Sequence, residues 1–514
     1  MRMATMVCAM STETRARRLN PGRPGSSGLD RYFRITERGS TVSREIRGGV
    51  VTFFTMAYII VLNPIILSGV VDGSGNMIGG TTDLAQSKLL VAVGTAVVAG
   101  VMSILMGVVA NFPIALAAGL GINALIAGMI FTHSGEKITY ADLMGLVVIE
   151  GIIILVLVLT GFRTAVFRAI PGPLKVAISV GIGLFITFIG FIDAGFARRP
   201  SSPGNVPSEL GINGSLNGWP TVVFVVGVLL IAVLLIRKVK GAILIGIVTA
   251  TVLAIVVESI AKIGPRVFDD KGALTNPDSW ALTVPSLPAS ITNTPDLGIL
   301  GQFSLLGSFQ KLGIITAVLF VFSLLLADFF DTMGTIVAIG AEADLLDDEG
   351  NPPGTDRILA VDSIAAIAGG AGGVSSNTSY IESAAGVGEG ARTGLASIIT
   401  GVLFLLATFL APLFAIVPSE AAAPALIIVG YLMMTQVKNI AWDDLEIGIP
   451  AFLTIVLMPF TYNITVGIGG GFIAWVVIKI AKGKAGAVHP LLWVVTGLFV
   501  IYFAKSPIEA LLTG

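Results

Sequence analysis

Two stretches decide how this chain is read: Ala327-Asp328-Phe329-Phe330-Asp331-Thr332-Met333-Gly334-Thr335, set inside a long apolar run, and Gly372-Gly373-Val374-Ser375-Ser376-Asn377-Thr378-Ser379-Tyr380-Ile381-Glu382-Ser383. Together they put Asp328, Asp331 and Glu382 at membrane depth. A charge there costs at least about 2–3 kcal/mol, so such residues are rare and line a path or a site. The small, polar run Gly372 to Ser379 does not suit a lipid-facing helix. Irregular backbone survives at that depth only when protein or a cavity surrounds it. Carboxylates on one helix facing a broken helix are the anatomy of a substrate site in a secondary transporter.

The rest of the chain supplies the membrane. Of 514 residues, 54% are hydrophobic and 12% charged, against roughly 25% charged in soluble chains. The fold class expected is an all-α polytopic membrane protein whose main partner is the lipid bilayer. The 62 glycines suit closely packed transmembrane helices. The one cysteine, Cys8, allows no disulfide framework and no cysteine metal site. His133 and His489 stand apart at the ends of apolar runs, so no metal and no cofactor is expected. There is no nucleophile–base pair or phosphate loop, which argues against an enzyme, and nothing points to nucleic acid.

Residues 1–46 carry nine arginines among Pro, Gly and Ser and read as a flexible cytoplasmic tail obeying the positive-inside rule. Apolar runs then follow one another as about fourteen spans. Lys and Arg gather after spans four (Arg163, Arg168, Lys175), six (Arg237, Lys238, Lys240), ten (Arg392), twelve (Lys438) and fourteen (Lys479, Lys482, Lys484). All fall on the side of a cytoplasmic N-terminus; Arg198 and Arg199 break the pattern. The segment 263–306 reads as an extracytoplasmic loop. The leftover apolar segment 491–504, with lysines at both ends, reads as a helix at the cytoplasmic interface or wedged against its neighbours, with the C-terminus inside. A fifteenth span is the competing reading.

Fourteen spans divide as seven plus seven, and an odd-numbered repeat must insert inverted. Span three opens Ala117-Ala118-Gly119-Leu120-Gly121-Ile122-Asn123; span ten opens Gly372-Gly373-Val374-Ser375-Ser376-Asn377. Paired Gly-interrupted segments point to the binding site of an inverted-repeat transporter. Each reads as an extended piece leading into a half-helix whose first N–H groups lack intrahelical partners.

The runs Asp328 to Thr335, Ser379 to Val387, Arg392-Thr393-Gly394 and Gly119 to Asn123 resemble the AzgA-like purine permeases, hypoxanthine–adenine–guanine/proton symporters related to the nucleobase–ascorbate transporters. The resemblance covers the chain from about 44 to 505. It implies two inverted seven-span repeats with broken helices in spans 3 and 10, and no enzymatic activity. The core domain would be 47–162 and 307–416, the gate domain 163–262 and 417–484, and 485–514 a C-terminal apolar helix. It also implies that Asn123, Asp328 and Glu382 contact the purine and that Asp331 serves proton coupling, with Glu382 close to both tasks.

A purine is flat and edged with N–H donors and N or O acceptors. A carboxylate accepts from two adjacent donors, and Asn offers both a donor and an acceptor. Gly121 and Ser376, in the two small-residue stretches, are further candidate substrate-binding residues, as is Phe329. Phe329, Phe330 and Tyr380 offer stacking faces or pack as ordinary helix residues. Asp328 and Asp331, three apart, share a helical face, and two close carboxylates in low dielectric favour retention of a proton. Against these stand structural roles: an Asp satisfied by Thr332, Thr335 or a half-helix end, and Glu382 paired with Arg392 or Lys438. Glu150 and Asp362, also at depth, read as structural links between spans. The rivals are a carrier for xanthine or uracil, an anion transporter of the same architecture and a channel. The expected location is the cell membrane. The oligomeric state stays open, a homodimer being one option.

Overall fold

The computed structural model describes residues 28–160, 170–198, 208–212, 214–267, 275–281, 283–288, 290–346 and 352–513. The arginine-rich tail up to residue 27 and the loop residues Arg163, Arg168 and Arg199 lie outside these. Helices dominate. The first half contains α1 (Gly28–Phe33), α2 (Val42–Met56), α3 (Ile59–Ser68), α4 (Leu84–Leu105), strand β1 (Leu116–Ala118), α5 (Leu120–His133), α6 (Tyr140–Leu159), α7 (Gly172–Asp193), the short pair β2 (Ala197–Arg198) and β3 (Glu209–Leu210), α8 (Trp219–Ile236) and α9 (Ala242–Ala261). The second contains α10 (Gly307–Leu312), α11 (Ile314–Glu342), α12 (Thr355–Ala371), β4 (Asn377–Ser379), α13 (Ser383–Gly388), α14 (Gly394–Ala407), α15 (Ala411–Ala415), α16 (Ser419–Met434), α17 (Leu445–Phe460), α18 (Ile464–Ala481) and α19 (Pro490–Thr513). Among the described residues, nine helical stretches are long and apolar enough to cross a membrane, and four shorter apolar helices, α5 and α17 among them, accompany them.

The packing repeats itself with inverted roles. Helix α14 packs on α2 and α4; α6 packs on α11 and α12. Helix α17 packs on α7 and α18; α8 packs on α16 and α9. Exchanging the n-th span of one half for the n-th of the other turns each contact into its partner, the signature of an inverted repeat. Two elements meet on the symmetry axis. Helices α7 and α16 pack together, and β1 pairs antiparallel with β4 in the register Leu116↔Ser379, Ala117↔Thr378 and Ala118↔Asn377. All six strand residues are buried. The ladder satisfies backbone groups that two broken helices would otherwise leave bare at membrane depth. The chain enters β4 through a tight corner with Gly373 at φ +68° and Ser375 at φ +72°. A Cβ at Gly373 would also sit 3.0 Å from the carbonyl of Ile299.

Two segments differ from the sequence expectation. Residues 28–46, assigned to the flexible tail, form α1, a turn and the start of α2. Phe33 and Ile35 pack against Leu395. The Arg38 guanidinium donates to the carbonyls of Asn111, at 2.6 Å, and Arg392, at 3.1 Å. Averaged composition over the arginine-rich segment concealed these few anchors. The second is α19. It is one 24-residue helix that packs on α18 and α11. Phe499 is fully buried, with its ring pressed against Gly469 where a Cβ would lie and its centroid 6.2 Å from that of Phe472. Tyr502 reaches Asn463, the N-cap of α18. Helix α19 therefore runs antiparallel along α18 and ends at the opposite end from Lys479 and Lys482. It is wedged against its neighbours as expected, but it does not lie across one end of them.

Candidate functional site

A cavity with about 710 Å³ of empty space, its open mouth included, lies between the two packing groups, the kind of cleft between packed units where small-molecule sites occur. One wall is Tyr58, the first turn of α5 (Gly119 to Ile122), the α11 stripe Ala327, Asp331 and Thr335, and Ser379 to Glu382. The facing wall is Ile178, Ser179 and Ile182 of α7 with Val429 and Met433 of α16.

Helical spacing decides which carboxylate meets the cavity. Positions 327, 331 and 335 form one stripe of α11, and 328 and 332 form the next. Asp331 is exposed to the cavity. Asp328 is fully buried behind it, where its Oδ2 accepts a 2.9 Å bond from the Ser376 hydroxyl. Thr332, also buried, donates to Asp362 at 2.8 Å and lies 2.7 Å from the Thr378 hydroxyl.

Glu382 reaches the cavity from the end of the second broken segment. Its Oε1 accepts a short bond from the Tyr58 hydroxyl, and its carbonyl accepts from Thr55 at 3.3 Å. The N–H groups of Ser383, Ala384 and Ala385 bond to the carbonyls of Tyr380, Ile381 and Glu382. The start of α13 is therefore closed by its own turn, and the side chain of Glu382 is what this arm presents. The first arm is different. Gly119 N–H is used by the carbonyl of Ser376, 2.9 Å away, and the first turn of α5 borders the cavity directly. The N–H groups of a helix's first turn are free to meet a ligand.

Of the residues singled out in the sequence, Glu382, Asp331, Gly121 and Tyr380 line the cavity. A Cβ on Gly121 would come 2.6 Å from Cγ2 of Ile182 across the gap, so glycine sets how closely the walls approach. Asp328, Asn123, Phe329 and Ser376 do not line it. Asn123 is fully buried, with neither amide atom partnered, one residue beyond the bordering turn. Phe329 is buried at 4% exposure. Ser376 serves Asp328. The Tyr380 hydroxyl donates to the carbonyl of Ala118 at 2.6 Å, pinning one arm to the other. Arg392 donates to the carbonyls of Val387 and Ala391 at 2.7 Å, so its guanidinium is engaged away from Glu382. Tyr58 was not anticipated. It lies at the break between α2 and α3, and only the fold brings it to Glu382. Asp362 links α12 to α11 and β4 through Thr332 and Ser379; Glu150 lies in the same buried polar group as Asp328 but makes no hydrogen bond of its own.

The model of the Permease family (Xan_ur_permease) matches residues 43–470. The chain belongs to this family. The permease is 37% identical over 480 residues to the guanine/hypoxanthine permease PbuG of Bacillus subtilis, covering 92% of this chain and 98% of that one. It is 35% identical over 477 residues to the adenine permease AdeP of Escherichia coli, covering 93% and 96%. Among solved structures, it superposes on the transmembrane domain of the cyanobacterial bicarbonate transporter BicA with a TM-score of 0.57 at 14% identity, covering 83% of this chain and 97% of that one. The murine anion transporter Slc26a9 in its inward-facing state gives 0.57 at 12% identity, covering 86% and 69%. The permease is thus a multi-pass membrane transporter with the fold of these proteins, and not an enzyme.

Proposed function

We propose that the permease imports purine nucleobases (hypoxanthine, adenine or guanine) across the cell membrane by proton symport and alternating access. The observation that carries this reading is the pairing of Glu382 and Asp331 on one cavity wall beside the open first turn of α5. Carboxylates accept from the N–H edge of a purine, and backbone N–H groups serve its ring nitrogens and carbonyl oxygen. The relatives named as guanine, hypoxanthine and adenine permeases support the same class. An anion carrier of the same fold fits less well, because two carboxylates in the wall oppose a negative substrate.

The division into a core domain (α2–α6 and α11–α14) and a gate domain (α7–α9 and α16–α18) follows the packing groups, with the purine between them. Proton coupling goes to Asp331, the carboxylate open to cavity water, working beside Glu382. With the N-terminus in the cytoplasm, the cavity opens inward. Its lining residues on α7 and α16 lie near the ends of those helices that carry Lys175 and Lys438. At the other end Tyr462 closes against Phe185 and Phe131, at 5.2 and 5.5 Å between ring centroids. There Lys88 of α4 donates to Thr283 at 2.5 Å, and Glu420 of α16 accepts from Ala281 N–H at 2.8 Å, so Ala281 and Thr283 tie to one group each. In this orientation α19 runs outward and the C-terminus is extracytoplasmic.

The test is uptake of radiolabelled hypoxanthine into cells or proteoliposomes against a panel of unlabelled nucleobases and anions. Competition by purines with stimulation by an inward proton gradient is expected. Competition by uracil or bicarbonate in place of every purine would overturn the assignment.

A further inference from the structure

Behind the cavity lies a second carboxylate group that the transport reading has not used. Glu150 of α6 is fully buried and neither of its carboxylate oxygens has a hydrogen-bond partner. Oδ1 of the fully buried Asp328 also lacks one. The two side chains face each other, and the other charged group close to Glu150 is Asp362 of α12. Asp331 adds a fourth acid on α11. The ion pairs among the described residues all lie elsewhere: Arg34 binds Glu37, Lys311 binds Asp142 at the far end of α6, Arg47 and Lys240 bind Glu389, and three lysines bind Glu446.

Two facing, dry, unpaired carboxylates repel, and each would leave buried acceptors unsatisfied. One proton removes both penalties. A protonated carboxyl gains an O–H donor, and the neighbouring carboxylate is its acceptor. A route from water to this pair is also built. Ser379, in the cavity wall, donates to Asp362 at 2.7 Å; Asp362 accepts from Thr332; Thr332 adjoins Thr378; and both threonines lie close to Asp328.

We propose that Glu150 and Asp328 form a second proton-binding site, sealed inside the core domain, that holds one exchangeable proton supplied through Ser379, Asp362, Thr332 and Thr378. The ligand is a proton, and the site is separate from the cavity carboxylates. Its use in transport rests on the proton-symport reading. Loading the pair neutralises one buried charge of the domain that carries the purine, so the loaded domain crosses the seal with less charge.

Glu150→Gln keeps a neutral N–H donor opposite Asp328 but has no proton to give up. The expected result in proteoliposomes is retained hypoxanthine binding with loss of the gradient-stimulated part of uptake and a flattened pH profile. In infrared spectra, the C=O band of a buried protonated carboxyl should be present in the wild type and diminished in the variant. A variant with the wild-type gradient response and pH profile, or a wild type without such a band, would overturn the proposal. Where Glu150→Gln does not accumulate, Thr332→Val decides. It keeps the shape and breaks the route, so an unchanged gradient response overturns the proposal and a lost one supports it. A wild type indifferent to the gradient would instead sink the symport reading, and the infrared arm would still report on the shared proton.

Discussion

Asp328 and Asp331 stand one turn apart on the same helix and live in different solvents. Asp331 faces an open cavity, beside Glu382 and the first turn of α5. Asp328 faces dry protein, with Ser376 on one oxygen and Glu150 opposite the other. A rotation of about 60° around the helix separates a carboxylate that water can solvate from one that only a proton or a donor can satisfy. Chemical type alone therefore assigns neither role; the packing behind each side chain does.

The largest effect should come from breaking the dry face. Glu150→Ala removes the proposed proton donor to Asp328, a charge-assisted bond contributing roughly 1.5–3 kcal/mol, and leaves a cavity that adds to the cost. The expected outcome is a fall in melting temperature and a loss of monodisperse protein in detergent, read by scanning fluorimetry and size-exclusion chromatography. Glu150→Gln should recover much of it. Equal stability of the alanine variant and the wild type would erase the contrast between the faces.

On the wet face, Glu382→Gln should lower hypoxanthine affinity about 10- to 100-fold, since a hydrogen bond to a charged group contributes roughly 1.5–3 kcal/mol. Titration calorimetry on purified protein measures this, with little change in melting temperature. Tyr58→Phe removes one bond to the same carboxylate and should cost about tenfold or less, near 1 kcal/mol. A Tyr58→Phe effect larger than that of Glu382→Gln would mean that the tyrosine, and not the carboxylate, meets the substrate.

Asp331→Asn sharpens the comparison from the other side. Its carboxylate is exposed to the cavity, so stability should change by less than about 0.5 kcal/mol. Binding should persist while pH-driven uptake is lost. Unchanged pH-driven uptake would take the proton role from Asp331 and leave it with the buried pair.

Much of this was legible in the chain. Composition gave the membrane, and the paired small-residue stretches at 117–123 and 372–377 gave the two arms that meet as β1 and β4. The carboxylates stood out because charge is rare at depth. What remained hidden depends on rotation and on partners distant in sequence. A spacing of three says that Asp328 and Asp331 are neighbours, but which one faces water is set by α6 and β4 packing on the other side of α11, with Asp362 of α12 bonded to Thr332. Tyr58 carries no local signal, since its partner Glu382 is 324 positions away. The length of the helix after residue 490 was hidden for a different reason. Fourteen apolar residues fall short of a span, but the helix continues through Lys505 and Glu509 to Thr513, which hydropathy alone cut off. A cysteine added at the C-terminus should be labelled by an impermeant maleimide in intact cells. Protection from the reagent until the cells are permeabilised would put the end of α19 inside.

The most direct measurement is the structure of the permease with hypoxanthine bound. The base should lie within hydrogen-bond distance of Glu382, on the wall shared by Asp331 and the first turn of α5, with Asp328 still buried against Ser376. A base held by Asp328, or bound away from Glu382, would contradict the assignment of the two faces.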